Sequence, residues 1–169
     1  MSLLRGKKRW VAIVTLVGAM IVSALVVVAF SFAFMLYWNY DERVNGAKAE
    51  ITQNDIEREF QTISALPLAL AVQHGSMHKT QQGITSAAYK TKSSYEVIRA
   101  HYDNELASRG WRFVSEDKVI YDGKDYGGKE RLYCKGRYTA NLQYAGRQER
   151  EFDWTYSFGL TWGPSDGCK

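Results

Sequence analysis

The stretch Glu151-Phe152-Asp153-Trp154-Thr155-Tyr156-Ser157-Phe158-Gly159-Leu160-Thr161-Trp162 carries a large apolar side chain at every even position and a polar or small residue at every odd one. Side chains of a β-strand point alternately to the two faces of its sheet, so this period of two predicts a strand with one buried face and one polar face. Antiparallel sheets covered on a single side give such alternation, whereas strands covered on both sides by crossover helices read as continuous apolar runs. An α+β fold with an antiparallel sheet is therefore expected. Six large side chains on one strand face suit the core of a small domain better than a ligand cleft.

Moving toward the N-terminus, Ala145 to Arg150 reads as a turn. Before it, Leu132, Cys134, Tyr138, Ala140, Leu142 and Tyr144 hold even positions with Gly136 among them, which fits one bent strand or two with a bulge at Gly136. A tight hairpin at Gly136-Arg137 would set Leu132 and Cys134 across from Asn141 and Thr139 and break the apolar face, so none is expected. Asp122 to Gly128 is turn chemistry, and its acidic residues lack the alternate spacing of a calcium loop. Trp111 and Phe113 open a strand that Val119 to Tyr121 continues. Ser93-Ser94-Tyr95-Glu96 reads as a capping box with Ser93 as N-cap. It opens a helix from Ser94 to Arg109 with Tyr95, Ile98, Tyr102 and Leu106 on one face and Gly110 just past its end. Gly83 to Lys90 reads as a strand, Gln73 to Gln82 as a loop, and Leu66 to Val72 as an edge strand or extended segment. Residues 67–169 are thus expected to form a small domain with a helix packed on an antiparallel sheet of four or five strands.

Residues 39–66 read as a juxtamembrane linker and an amphipathic helix, capped by Thr52, carrying Ile56, Phe60 and Ile63, and ended by Pro67. Ahead of them, the 26 residues from Val11 to Leu36 contain no charged residue, His, Asn or Gln. As a helix they would span about 39 Å against roughly 30 Å of bilayer hydrocarbon, so residues 11–38 are expected to cross the membrane once. A cleaved signal peptide is the rival reading, but its apolar region is far shorter. Trp10 at one end and Tyr37, Trp38 and Tyr40 at the other suit the two membrane interfaces. The span lacks any ionisable group to relay protons or imidazole to ligate haem. Gly18, Ala19, Ser23, Ala29 and Ala33 are small enough to admit a neighbouring helix, with Ala19 and Ser23, and Ala29 and Ala33, four apart.

The chain carries 22 Lys and Arg against 18 Asp and Glu, and Arg5, Lys7, Lys8 and Arg9 account for the excess. That basic tail, residues 1–10, puts the N-terminus in the cytoplasm of a single-pass cell-membrane protein and the remainder in a periplasmic or extracellular space. The neutral remainder lacks the electrostatic footprint of a nucleic-acid-binding domain, so nucleic acid is excluded as a partner. In an oxidising compartment Cys134 and Cys168, the two cysteines, can form one bridge. His74 and His78 are spaced as helical metal ligands, but Gly75 and the polar residues around them argue for a loop, and a third ligand would have to be distant His101. No nucleophile, zinc, phosphate or dinucleotide motif occurs, so neither an enzymatic activity nor a cofactor is expected.

Tyr89, Thr91, Ser94, Tyr95 and Val97, followed by Tyr102, Leu106, Gly110 and Trp111, together resemble a pattern found in small, largely uncharacterised bacterial extracytoplasmic domains on a lipid or single-helix anchor. The resemblance runs from Ala88 to Trp162, rests on packing residues, and implies fold and compartment without a binding or catalytic motif. No lipid-attachment cysteine follows the apolar run, which leaves the helix as anchor. The expected role is a non-catalytic accessory or structural subunit of a larger integral-membrane complex, respiratory or photosynthetic, with the lipid bilayer and other membrane subunits as partners. The alternative is a membrane-tethered sensor or ligand-binding module using the aromatic sheet face, its small-molecule ligand unassigned.

Overall fold

The structure, a computed structural model, describes residues 3–164 and Cys168, with the backbone alone at residues 3–19, 21, 41 and 42. Its elements are α1 (Leu3–Thr62), β1 (Leu70–Lys79), β2 (Gln82–Lys90), α2 (Tyr95–Ser108), β3 (Arg112–Tyr121), β4 (Lys124–Lys135), β5 (Tyr138–Tyr144), α3 (Glu149–Phe152) and β6 (Tyr156–Trp162). The chain divides into two compact units, Met1–Val44 and Asn45–Lys169.

In the first unit every described side chain from residue 22 to residue 40 is exposed, including Ser23, Ala29, Ala33, Tyr37, Trp38 and Tyr40. The other expected membrane positions, Trp10, Gly18 and Ala19, lie outside the described side chains. Among the described residues one helical segment, Val22–Thr62, is long and apolar enough to cross a membrane. Two of its polar side chains turn back onto the helix: Ser31 Oγ donates to the Val27 carbonyl and Asn39 Nδ2 to that of Met35, both at 2.9 Å. Such bonds spare the polar atoms an unsatisfied state in an apolar surrounding.

The second unit is a two-layer α+β structure. Its sheet has six strands in the order β1-β2-β6-β5-β4-β3, every pair antiparallel. Residues of α1 beyond Asn45 and the helix α2 cover one face. The ring of Phe158 stacks on Phe60 of α1 at 5.9 Å and on Tyr102 of α2 at 4.5 Å, which puts both helices on the same side. Ala49, Ile56 and Phe60 are buried along α1, with Ile63 just past its end, and Ile98, Tyr102 and Leu106 along α2, each series at the helical spacing.

Several local expectations change. The sheet gains strands because Leu70–Lys79, expected mostly as a loop, pairs with β2 as an edge strand; all ten of its residues are exposed, so its sequence shows no apolar period. Thr52 is not a cap: the helix runs through it, and its hydroxyl donates to the Lys48 carbonyl at 2.9 Å. The N-cap position of α2 is Ser94, not Ser93, with no side-chain capping bond. Only Asp122 and Gly123 separate β3 from β4, both at positive φ (48° and 71°), as a two-residue hairpin requires.

The tight hairpin at Gly136-Arg137 does form, with Leu132 opposite Asn141 and Cys134 opposite Thr139. It keeps a sound core face because that face is the other one: Arg131 and Tyr133 of β4 meet Leu142 and Ala140 of β5, and all four are buried. The strand expected over residues 151–162 is shorter than its alternation. Phe152 ends α3, Asp153 takes a left-handed conformation (φ 60°), and only Tyr156, Phe158 and Leu160 of the apolar series are buried in the core, with Trp162 partly so. Trp154 leaves the stripe for the opposite face, and Thr155 is buried instead.

Candidate functional site

Three groupings of polar side chains stand out in the second unit. The first surrounds Arg131, whose side chain is 9% exposed. Its Nη2 donates to Asp103 Oδ1 at 2.7 Å, Nη1 to Glu116, and Nε to Tyr133 Oη at 3.0 Å; the Tyr133 hydroxyl donates to the same Asp103 oxygen at 2.8 Å. The Phe113 ring lies 4.2 Å from the guanidinium carbon. Burial works against the Arg131 charge, but its bonds to Tyr133, Glu116 and Asp103 more than offset this and raise its pKa. Each of the three guanidinium nitrogens thus has a partner. The cluster clamps α2 to β3 and β4.

A second grouping is built on Gln53 of α1, which is buried. Its Oε1 accepts from Trp162 Nε1 at 2.8 Å, and its Nε2 donates to Ser76 Oγ at 2.8 Å and to the Ile84 carbonyl at 3.1 Å. Nearby, Glu59 accepts from Lys135 Nζ at 2.7 Å and from Trp111 Nε1 at 3.1 Å. Burial raises the Glu59 pKa, and these two donors outweigh it, leaving the carboxyl below its ordinary value. Both are internal ties.

The third lies on the face of the sheet opposite α1 and α2, where a groove of about 530 Å³ runs across β1, β2, β6 and β5, and where Cys168 packs beside it on Cys134 and Thr139. Its floor is made of small residues, Ser86, Ala88, Ser157 and Gly159, and Trp154 and Met77 stand among its walls. Amide groups of Gln73, Asn141 and Gln143 reach it. None of its lining residues is charged, although 24% of the chain is. Trp154 is fixed from behind: Phe152 stacks on it at 5.2 Å, and the Asp153 carboxylate pairs with Lys90. This groove has the mixed apolar and hydrogen-bonding lining of a binding surface.

The residues singled out in the sequence are distributed as follows. Cys134 and Cys168 stand at disulfide distance, Cα atoms 5.5 Å apart. His74 and His78 lie four residues apart on a strand, roughly 13 Å, rather than one helical turn apart. His74 packs edge-on against Phe60, and His101 Nε2 is 2.8 Å from the Ser64 carbonyl. Among the described residues no group of three or more His, Cys, Asp or Glu is placed to hold a metal. The aromatic face proposed for a ligand is core, and the groove is on its back. Only the odd positions of residues 151–162, small and uncharged from Ser157 onward, carried a signal for it. No protein-family model matches the chain, and neither a curated protein nor a solved structure does.

Proposed function

We propose that the chain is a non-catalytic, single-pass membrane protein with a cytoplasmic N-terminus, and that it presents the unit beyond Asn45 outside the cytoplasm as a binding module acting through the sheet face opposite its helices. One observation carries this reading: among the described residues α1 and α2 both pack on one side of the six-stranded sheet, and the other side holds a groove with no charged lining residue and Trp154 in its lining. The basic tail Arg5 to Arg9 and the apolar segment after it support the anchor and its direction. A second reading, an accessory subunit docked through its helix on other integral-membrane subunits, is favoured by the exposed small residues Ser23, Ala29 and Ala33 on α1. Photocrosslinking residues placed at Gln143 and at Ala29 separate the two in intact cells. Adducts from Gln143 support the binding module, adducts from Ala29 alone support the docked subunit, and adducts from neither remove both.

A further inference from the structure

Building on the sheet-face reading, we propose that the groove is a binding site for a neutral polyhydroxylated chain, an oligosaccharide without acidic groups, with Trp154 as its stacking platform. The absence of charge comes first. A phosphate, a nucleic acid or an acidic peptide would call for Lys or Arg at the contact, and no such residue lines this groove. Hydrogen-bonding capacity is nevertheless plentiful. Among the described residues the side chains of Gln73, Ser86, Gln143, Ser157 and Thr161 have no hydrogen-bond partner. Each amide offers two donors and an acceptor, and each hydroxyl both roles, which matches the alternating donor and acceptor character of sugar hydroxyls.

The backbone argues against an extended peptide as occupant. Beneath the groove β2 pairs with β1 and β6, and β6 with β2 and β5, so the floor strands spend their amides and carbonyls in the ladder. A peptide strand joins a sheet through free backbone groups at an edge, and none is available in the middle of this face. A sugar needs only side-chain contacts and a flat apolar surface. Trp154 supplies that surface. Its indole N–H has no partner among the described residues, whereas those of Trp111 and Trp162 are held by Glu59 and Gln53. The electron-rich face of an indole attracts the weakly positive C–H groups on one side of a pyranose ring. The left-handed turn at Asp153, which ends α3, sets this ring in the lining of the groove instead of in the core.

Gly75 of β1 provides a steric test, because a side chain added there meets no atom within 4 Å and would project into the groove. The full-length protein in lipid nanodiscs is titrated by calorimetry with chitohexaose, cellohexaose and maltohexaose. At least one is expected to bind, with affinity falling tenfold or more in Trp154→Ala and in Gly75→Trp. Ile120→Ala, on the exposed far edge at β3, should leave it unchanged, and far-ultraviolet circular dichroism should show all three variants folded. Binding of no sugar, or binding that survives both groove substitutions, overturns the proposal; so does binding of a neutral Ser/Gln-rich decapeptide in place of any sugar. If the sugars fail while Gly75→Trp still abolishes the adducts formed from Gln143, the sheet-face reading stands and the sugar assignment falls. If the adducts also persist, both fall.

Discussion

Phe158 and Trp154 illustrate how much a four-residue shift changes the weight of an aromatic side chain. Phe158 is 2% exposed between rings of two helices, so Phe158→Ala removes its transfer free energy and leaves a cavity, a loss of about 3 to 5 kcal/mol. Trp154 is half-buried on the open face, and Trp154→Ala should cost less than half as much. Thr155 reverses the usual ranking of the two neighbours. Its hydroxyl accepts from the Thr91 amide at 3.1 Å and has the Thr91 carbonyl and Glu149 as alternative acceptors for its one hydrogen, so Thr155→Ala leaves partly buried polar groups without this partner, at about 1 to 2 kcal/mol. Thermal unfolding of the three variants in detergent micelles should order them Phe158, Thr155, Trp154 or Phe158 first with the other two close. A Trp154→Ala loss equal to that of Phe158→Ala would place the indole back in the core.

Carboxylates set the acid limit at the same scale. The Ser64 amide and the Arg109 guanidinium hold Glu105 below the ordinary value of 4.5; for Glu116 and Glu59, burial pulls upward, and Tyr95 with Arg131 on the first and Lys135 with Trp111 on the second more than offset it. A carboxyl depressed in the folded state binds fewer protons there than in the unfolded chain. Its stabilisation is therefore complete above about pH 4.5 and is lost as pH falls through the folded value. Midpoints of urea unfolding should be level from pH 7 to pH 5 and decline below pH 4.5, with a shallower decline in Glu105→Gln.

At the scale of elements, the strands with one buried side and the helices with a stripe were legible, and the edge strand was not. The α2 series Ile98, Tyr102, Leu106 and the β6 series Tyr156, Phe158, Leu160 bury because each repeats at the period of its element. Strand β1 buries nothing, so its residues were free to be polar and its pairing left no period to read. On β4, Arg131 hid the true core face, since a charge at that position reads as solvent-facing until Asp103 and Glu116 are seen to neutralise it. The groove was illegible for a related reason: small neutral residues on the back of a strand signify nothing until neighbouring strands place them side by side. Strand β1 has one partner and no buried side chain, whereas β6 is paired on both sides. Hydrogen exchange should therefore release Leu70–Lys79 first and Tyr156–Trp162 last. Equal protection of the two would mean that something further covers β1.

At the scale of the whole molecule, compartment and stability are coupled through one bond. Cys134 sits on β4 and Cys168 in the C-terminal tail, 34 residues apart, at disulfide distance. Closing a loop of that length removes unfolded-state entropy worth about 4 kcal/mol in the chain-entropy model, a large share of what a domain this size has to spend. A cytoplasmic thiol pool would keep the pair reduced, and the proposed topology puts it where oxidation persists. Cysteine introduced at Ser2 should be shielded from an impermeant thiol reagent in intact cells, and cysteine at the exposed Arg147 should react. With that topology, protein extracted under thiol-blocking conditions should migrate as the bridged form. Reduction, or Cys168→Ser, should lower the unfolding midpoint by on the order of 10 °C. Deleting Arg5, Lys7, Lys8 and Arg9 while adding basic residues after Tyr40 should invert a fraction of the molecules, and that fraction alone should carry free thiols and the lower midpoint. Labelling of Ser2→Cys in place of Arg147→Cys, with the bridge intact, would separate the bond from the compartment and reverse the orientation argued from the basic tail.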